Sequence, residues 1–178
     1  RYSQWKQLDY AARLADDPAQ LQILLQCLVD AGVDIFHCST RRYWEPAFPG
    51  HGERSLAAWT RHLSGKPVIA VGSASLSNEF KSAMGKVHAE IAPQDIHRMA
   101  AGLEHGDYDL IALGRALIAN PDWVQQVQAG RLDRLRPFTR QMLDTRWGIS
   151  RQVEAAVGKS CRWANWMPRC SRTARCRS

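Results

Sequence analysis

Gly114 and Arg115 stand between an apolar run at residues 110–113 and the pair Asn120-Pro121. Residue types in this order can hold a phosphate. A glycine lets an anion approach the backbone, and an arginine offers a forked, permanently charged donor set that matches phosphate oxygens. Asn120 followed by Pro121 predicts an N-cap and a first helical residue. A helix start there would add unpaired N–H groups and the positive end of a dipole. Gly72 and Ser73 end a second apolar run, at 68–71, and pose the same opportunity. The plain alternative makes Gly114 a tight turn and Arg115 a surface charge. The elements that must position these residues decide between the two.

Residues 1–3 predict the end of a strand, and Tyr10, Ala11, Leu14 and Ala15 predict a helical turn or two. Asp17-Pro18-Ala19-Gln20 is a helix start, with Asp as N-cap, Pro at the first position and Gln three residues after the cap. Leu21, Leu24, Leu25 and Leu28 follow at helical spacing and predict one packed face, ended by Gly32. Residues 33–38 predict a strand, and 39–53 a long polar and aromatic loop. Residues 55–63 predict a helix with Leu56, Trp59 and Leu63 on one side, and 68–73 an apolar strand. Residues 74–92 look irregular or partly helical. Pro93 opens a helix with Ile96, Ala100 and Leu103 sharing a face, stopped by Gly106, and a strand at 108–113 precedes the Asn120-capped helix to Gln128.

Apolar strands alternating with amphipathic helices imply an α/β fold with a parallel sheet covered on both faces. A doubly wound sheet usually carries a glycine-rich turn after its opening strand, and no G-x-G-x-x-G occurs here. In an eight-stranded α/β barrel, phosphate commonly sits between the loops after the last two strands and a short extra helix. Gly72-Ser73 and Gly114-Arg115 with their following helix fit that arrangement. A whole barrel takes about 250 residues, so residues 1–145 are expected to be the C-terminal half, strands 5–8, of a TIM (β/α)8 barrel. Gly72, Ser73, Gly114 and Arg115 are then expected to converge in one pocket at the C-terminal ends of adjacent strands.

The formal charge of +7 resembles a nucleic-acid signature until it is located. Residues 146–178 hold eight of the 24 Lys and Arg and one acid, Glu154, which leaves 16 residues of each sign in 1–145. A basic patch on the folded body is therefore not expected. Residues 146–178 are expected to be a basic irregular tail outside the core, resembling translation in a shifted frame. A basic interaction tail is the alternative. Cys161, Cys170 and Cys176 lie there at spacings that match no zinc site, and no metal is expected. Cys27 and Cys38 are expected to be small core residues, and His37 a hydrogen-bonded core histidine. With no leader and no apolar run long enough for a bilayer, a cytoplasmic protein without membrane contact is expected.

Four blocks, Arg1-Tyr-Ser-Gln-Trp5, Phe36-His-Cys-Ser-Thr-Arg-Arg-Tyr-Trp-Glu-Pro46, Gly65-Lys-Pro-Val-Ile-Ala-Val-Gly-Ser73 and Leu113-Gly-Arg-Ala-Leu-Ile-Ala-Asn-Pro-Asp122, carry a resemblance. Together, and in this order, they resemble the old yellow enzyme family of FMN-dependent NAD(P)H:flavin oxidoreductases, over residues 1 to about 145. The resemblance implies an α/β barrel with FMN as cofactor and NAD(P)H as reductant. It implies that Arg1 bonds the flavin pyrimidine edge and stabilises negative charge on reduction. Gly72 and Ser73 would donate backbone N–H groups to the FMN phosphate, and Gly114 and Arg115 would complete that site. Tyr43 and Trp44, on the loop after the sixth strand, would help wall the pocket of a small enone or enoyl substrate. The implied chemistry is hydride transfer from NAD(P)H to flavin and then to the β-carbon of an activated alkene.

In that family the residues that hold the substrate carbonyl and donate the proton lie in the first half of the barrel, which this sequence does not match. The chain alone is therefore expected to be inactive, and its open edges are expected to favour a homodimer. The alternative function is a non-catalytic half-barrel that binds a phosphate ligand or, through its tail, nucleic acid.

Overall fold

A computed structural model describes residues 1–6, 9–76, 93–139 and 141–144. The expectations for residues 77–92 and for the tail at 146–178 lie outside the described residues. The chain divides into two units, Arg1–Met142 and Leu143–Ser178. The first unit holds the sheet and the helices packed on it.

Tyr2 begins the architecture. It bridges Cys38 in parallel, its N–H reaching the His37 carbonyl at 3.0 Å and its carbonyl accepting the Ser39 N–H at 2.8 Å. A short antiparallel hairpin follows, β1 (Trp5–Lys6) with β2 (Asp9–Arg13), in place of the expected helical turn. The reason lies in Gln4. Its side chain is buried and pairs with both the N–H and the carbonyl of Ala15, while the Leu14 N–H reaches the Gln4 carbonyl at 3.0 Å. These bonds draw the segment back alongside its own start. Leu14, 56% exposed, has no apolar face to share.

Helix α1 (Pro18–Asp30) begins where its cap predicts. The Asp17 carboxylate accepts the Gln20 N–H at 2.9 Å, and Gln20 returns a bond to the Asp16 N–H at 3.1 Å. Leu21 and Leu25 are fully buried, whereas Cys27, expected inside, is exposed. Strand β3 (Phe36–Ser39) leads through the long loop to α2 (Leu56–Ser64), capped by Ser55 and closed by Gly65 at φ 64°. Strand β4 (Val68–Val71) comes next. After the segment outside the description, α3 (Pro93–Glu104) runs into β5 (Leu110–Ile111).

The three strands form a parallel sheet in chain order, β3-β4-β5, with Cys38 beside Ala70 and Ile69 beside Leu110. Successive residues alternate between its faces. Phe36, Cys38, Val68 and Ala70 are buried, with α2 packed on β3 and β4 and α1 packed on α2. His37, Ser39, Ile69 and Val71 point the other way and are only half-buried, and Leu110, registered with Ile69, is 54% exposed. The protein is thus α/β, with a small parallel sheet and helices.

Two further local expectations are corrected. Helix α3 buries Asp95, Met99 and Gly102 rather than Ile96, Ala100 and Leu103. Ala100 is exposed, Leu103 is 41% exposed, and Ile96 is half-buried. The helix is rotated by about one residue because Asp95 is held by hydrogen bonds and Gly102 admits the Tyr108 ring. The helix expected to start at Asn120 is also different. Helix α4 (Arg115–Ala119) begins directly after Gly114, Asn120 ends it, and α5 (Trp123–Gln128) starts after Asp122. The buried Asn120 side chain is occupied elsewhere: it donates to the Arg136 carbonyl at 2.9 Å and accepts the Arg136 N–H at 2.8 Å. A turn of 3-10 helix at Leu132–Arg134 and a short helix α6 (Gln141–Asp144) complete the described elements.

Candidate functional site

The C-terminal ends of the three parallel strands open into one cavity of about 950 Å³. Four stretches of chain reach it: residues 1–5, Ser39 to Arg41 after β3, Val71 to Leu76 after β4, and Ala112 to Ile118 around the start of α4. Arg1, Gly72, Ser73, Gly114 and Arg115 all line it. These five residues, singled out in the sequence from three separate blocks, are brought together by the sheet.

Each is placed for a local reason. Arg1 donates to the Ser39 hydroxyl at 3.0 Å, which ties the guanidinium to the last residue of β3. Gly72 sits at φ 153°, and a Cβ there would meet the Thr40 carbonyl oxygen at 2.5 Å. Only glycine fits that approach, which brings the β3 and β4 loops together: Thr40 N–H and hydroxyl both donate to the Val71 carbonyl at 3.0 Å, and the Tyr43 N–H donates to the Gly72 carbonyl at 3.1 Å. Ser73, at φ 50°, donates its hydroxyl to the Arg41 carbonyl at 3.0 Å. Gly114 differs from Gly72. Its φ is −108°, and nothing lies within 4 Å of where a Cβ would be. Packing among the described residues does not call for a glycine at 114. Arg115 is half-buried, and burial lowers the pKa of its guanidinium from a very high ordinary value, which leaves it charged at neutral pH.

Among the described residues the lining contains three arginines, Arg1, Arg41 and Arg115, and no Asp or Glu. Sequence reasoning had not singled out Arg41. The signal available was its neighbour relation to the β3 strand end, where residues of a parallel sheet face the ligand crevice. The sign of the cavity favours an anion, although residues 1–145 carry as many acids as bases.

His37 lies one residue before Cys38 on the half-buried face. Its Nε2 is buried and has no hydrogen-bond partner among the described residues, contrary to the expectation of a bonded core histidine. Burial first, then the positive charge of Arg1, lower its pKa below the ordinary value of 6.5. Cys38 is buried with its thiol donating to Thr60 Oγ1 at 3.3 Å, and burial raises its pKa. Such a thiol is protonated and unreactive at neutral pH.

Tyr43 and Trp44 lie elsewhere. Neither lines the arginine cavity. Both border a smaller depression of about 380 Å³ with Arg98 and Tyr108. Tyr43 is 3% exposed, edge-on to Trp44 with centroids 5.0 Å apart and to Tyr108 at 5.9 Å, and its hydroxyl donates to Asp95 Oδ1 at 2.9 Å. Burial, followed by the neighbouring Asp95 charge, pushes the Tyr43 pKa far above the phenolic range. Trp44 carries the Arg98 guanidinium 4.6 Å above its ring. Among the described residues there is no group of three His, Cys, Asp or Glu that could hold a metal ion, and no helix long and apolar enough to cross a membrane.

No protein-family model matches the chain. A likeness to one curated protein stands out. Over 113 residues the chain is 32% identical to the NADH:fumarate oxidoreductase of Klebsiella pneumoniae (strain 342). The match takes in 60% of this chain and 10% of that protein, so the chain spans about a tenth of the relative's length. It is similar to a part of an oxidoreductase.

Proposed function

We propose that residues 1–145 are the FMN-binding C-terminal half of an α/β barrel of the old yellow enzyme kind, contributing to an NAD(P)H-dependent oxidoreductase. One observation carries this reading: Arg1, the pair Gly72 and Ser73, and the pair Gly114 and Arg115 line a single cavity at the C-terminal ends of parallel strands. The likeness to a protein named for NADH-dependent oxidation and reduction supports the same class. Parallel strands in chain order, with one face packed by helices and the other only half-buried, are what part of a barrel wall would present.

The residues present fit FMN. A phosphate needs donors and positive charge, and Arg115 with the serine-bearing turn at Gly72 and Ser73 supplies both. It also needs room against the backbone, and the open space at Gly114 provides it. A cavity of about 950 Å³ is of cofactor size. When bound, FMN supplies the hydride relay between NAD(P)H and an activated alkene. Arg1, anchored to Ser39, supplies a fixed cation that favours a more electron-rich occupant of the cavity. The proposed occupant of the remaining space is a small enone or enoyl substrate.

Titration of the purified chain with FMN, followed by quenching of flavin fluorescence, tests the assignment. Saturable binding with a yellow, protein-retained flavin spectrum is expected, with FMN preferred over riboflavin, which lacks the phosphate. Absence of any preference for FMN over riboflavin would remove the phosphate assignment and favour a module for a different ligand.

A further inference from the structure

Asp95 is the one acidic side chain that is buried among the described residues, at 2% exposure. It does not line the arginine cavity, yet it is bonded to the turn that does. Its Oδ2 accepts the Ser75 N–H at 2.6 Å, and its Oδ1 accepts the Tyr43 hydroxyl at 2.9 Å. Arg98 Nη1 stands 3.4 Å from Oδ1. Burial raises the Asp95 pKa, opposed by these three partners. Ser75 is fully buried, and its hydroxyl accepts the Trp123 indole N–H at 3.1 Å. A carboxylate at the start of α3 and an indole on α5 therefore hold the same serine.

That serine lies in a strained turn. Ser73 and Ser75 have φ of 50° and 64°, a region that costs non-glycine residues energy and persists only where the surroundings enforce it. The turn closes on itself through the Leu76 N–H to the Ser73 carbonyl at 3.0 Å. Released from Asp95 and Trp123, residues 73–75 would relax toward negative φ and re-aim the Ser73 N–H and hydroxyl.

We propose that Asp95 is a positioning residue for the phosphate-binding turn: with Tyr43 and Trp123 it holds residues 72–76 in the conformation that presents Gly72 and Ser73 to the cavity. This rests on the proposed FMN site. It also gives Tyr43 a role, as the hydroxyl that orients the Asp95 carboxylate from the far side of the turn.

The test compares FMN with riboflavin in fluorescence titrations of the full chain and of Asp95→Asn. The amide keeps the shape of the side chain but replaces one of two acceptor oxygens with a donor. FMN affinity should fall about tenfold, the scale at which outer supports of a binding site usually act. Riboflavin affinity should change less than about twofold, because it makes no demand on the phosphate turn. Tyr43→Phe should shift the FMN-to-riboflavin ratio in the same direction by less. The double variant should fall short of the product of the two, since both act through one carboxylate. Should Asp95→Asn fail to fold, Tyr43→Phe decides by the same ratio. Equal weakening toward both flavins would indicate a general loss of structure and overturn the positioning role. Unchanged FMN affinity in the variants, beside a wild type that binds FMN, would overturn this inference and leave the FMN site standing. A wild type with no FMN preference would remove both.

Discussion

Gly72 approaches Thr40 so closely that a Cβ on the glycine would lie 2.5 Å from the Thr40 carbonyl oxygen and 2.7 Å from its hydroxyl. The same glycine has a φ of 153°, so two independent constraints exclude a side chain. The contact welds the loop after β3 to the loop after β4 at the mouth of the cavity.

The two glycines of the site should consequently respond differently to alanine. Gly72→Ala should cost roughly 2–3 kcal/mol of stability, from backbone strain plus a clash with a main-chain oxygen that cannot give way. Gly114→Ala should cost less than Gly72→Ala, because nothing among the described residues lies within 4 Å of the added Cβ. It should nevertheless weaken FMN binding if a phosphate comes up against the backbone there. Urea midpoints and flavin titrations on the two variants check both halves. A Gly114→Ala protein that keeps full FMN affinity would place the phosphate elsewhere.

Arg115→Ala should weaken FMN binding by about 1.5–3 kcal/mol, the scale of a hydrogen bond to a charged group. Riboflavin binding should be much less affected. Arg115→Lys should recover part of the loss, because charge returns without the planar fork. Isothermal titration of the three proteins measures the differences. Identical FMN affinity in wild type and Arg115→Ala would remove this residue from the site.

Gly102 lies in the last turn of α3, where alanine would ordinarily stabilise the helix, by up to about 1 kcal/mol. Here the opposite is expected. A Cβ at 102 would run into the Tyr108 hydroxyl oxygen and meet its ring at 2.6 Å, and Tyr108 is buried with its hydroxyl donating to the Met99 carbonyl at 3.1 Å. Burial, then the Asp107 and Asp95 charges, pushes the Tyr108 pKa up to about 12, so the phenol stays a neutral donor. Displacing it should cost about 1–3 kcal/mol, the usual penalty of overpacking, which exceeds the propensity gain. Thermal denaturation of Gly102→Ala checks the sign.

His37 gives the fold a dependence on mildly acid pH. Its folded pKa is lowered from 6.5 by burial and by Arg1. Between the folded and unfolded pKa values the unfolded chain binds the proton more readily, so stability is full above the unfolded value of about 6.5 and declines as pH falls below it. His37→Gln should flatten this part of the profile. Denaturant midpoints measured from pH 7.5 to 5 in both proteins check it, and an equal decline in both would assign the dependence to other groups.

Much of the framework could be read from residue order alone. Asp17, Pro18 and Gln20 mark the start of α1 because a helix cap is a local device, complete within four residues. The apolar runs before Gly72 and Gly114 mark β4 and β5, yet the sheet is not covered on both faces as the sequence implied. Only alternate residues of β4 are buried, and Leu110 of β5 is 54% exposed. The helix and strand alternation then implied a parallel α/β sheet, and the residues after its strands could be named as a group.

What the sequence left open were the positions whose partners lie far along the chain. Asp95 and Gly102 form the buried face of α3 because Ser75, Tyr43 and Tyr108 meet them there. Hydrophobic periodicity counts neither residue as core and so turned the helix toward Ala100 and Leu103. Asn120 looks like a cap in isolation, yet Arg136, sixteen residues on, takes both ends of its amide. Gln4 likewise turns residues 9–13 into a hairpin through its bonds to Ala15. The family resemblance implied that Tyr43 walls a substrate pocket, and only the fold brings its hydroxyl to the buried carboxylate of Asp95. Gly102 apart, where the Tyr108 ring takes the space of a side chain, a buried polar group had to find a partner. That partner was decided by which strands and helices came together, not by the residues on either side.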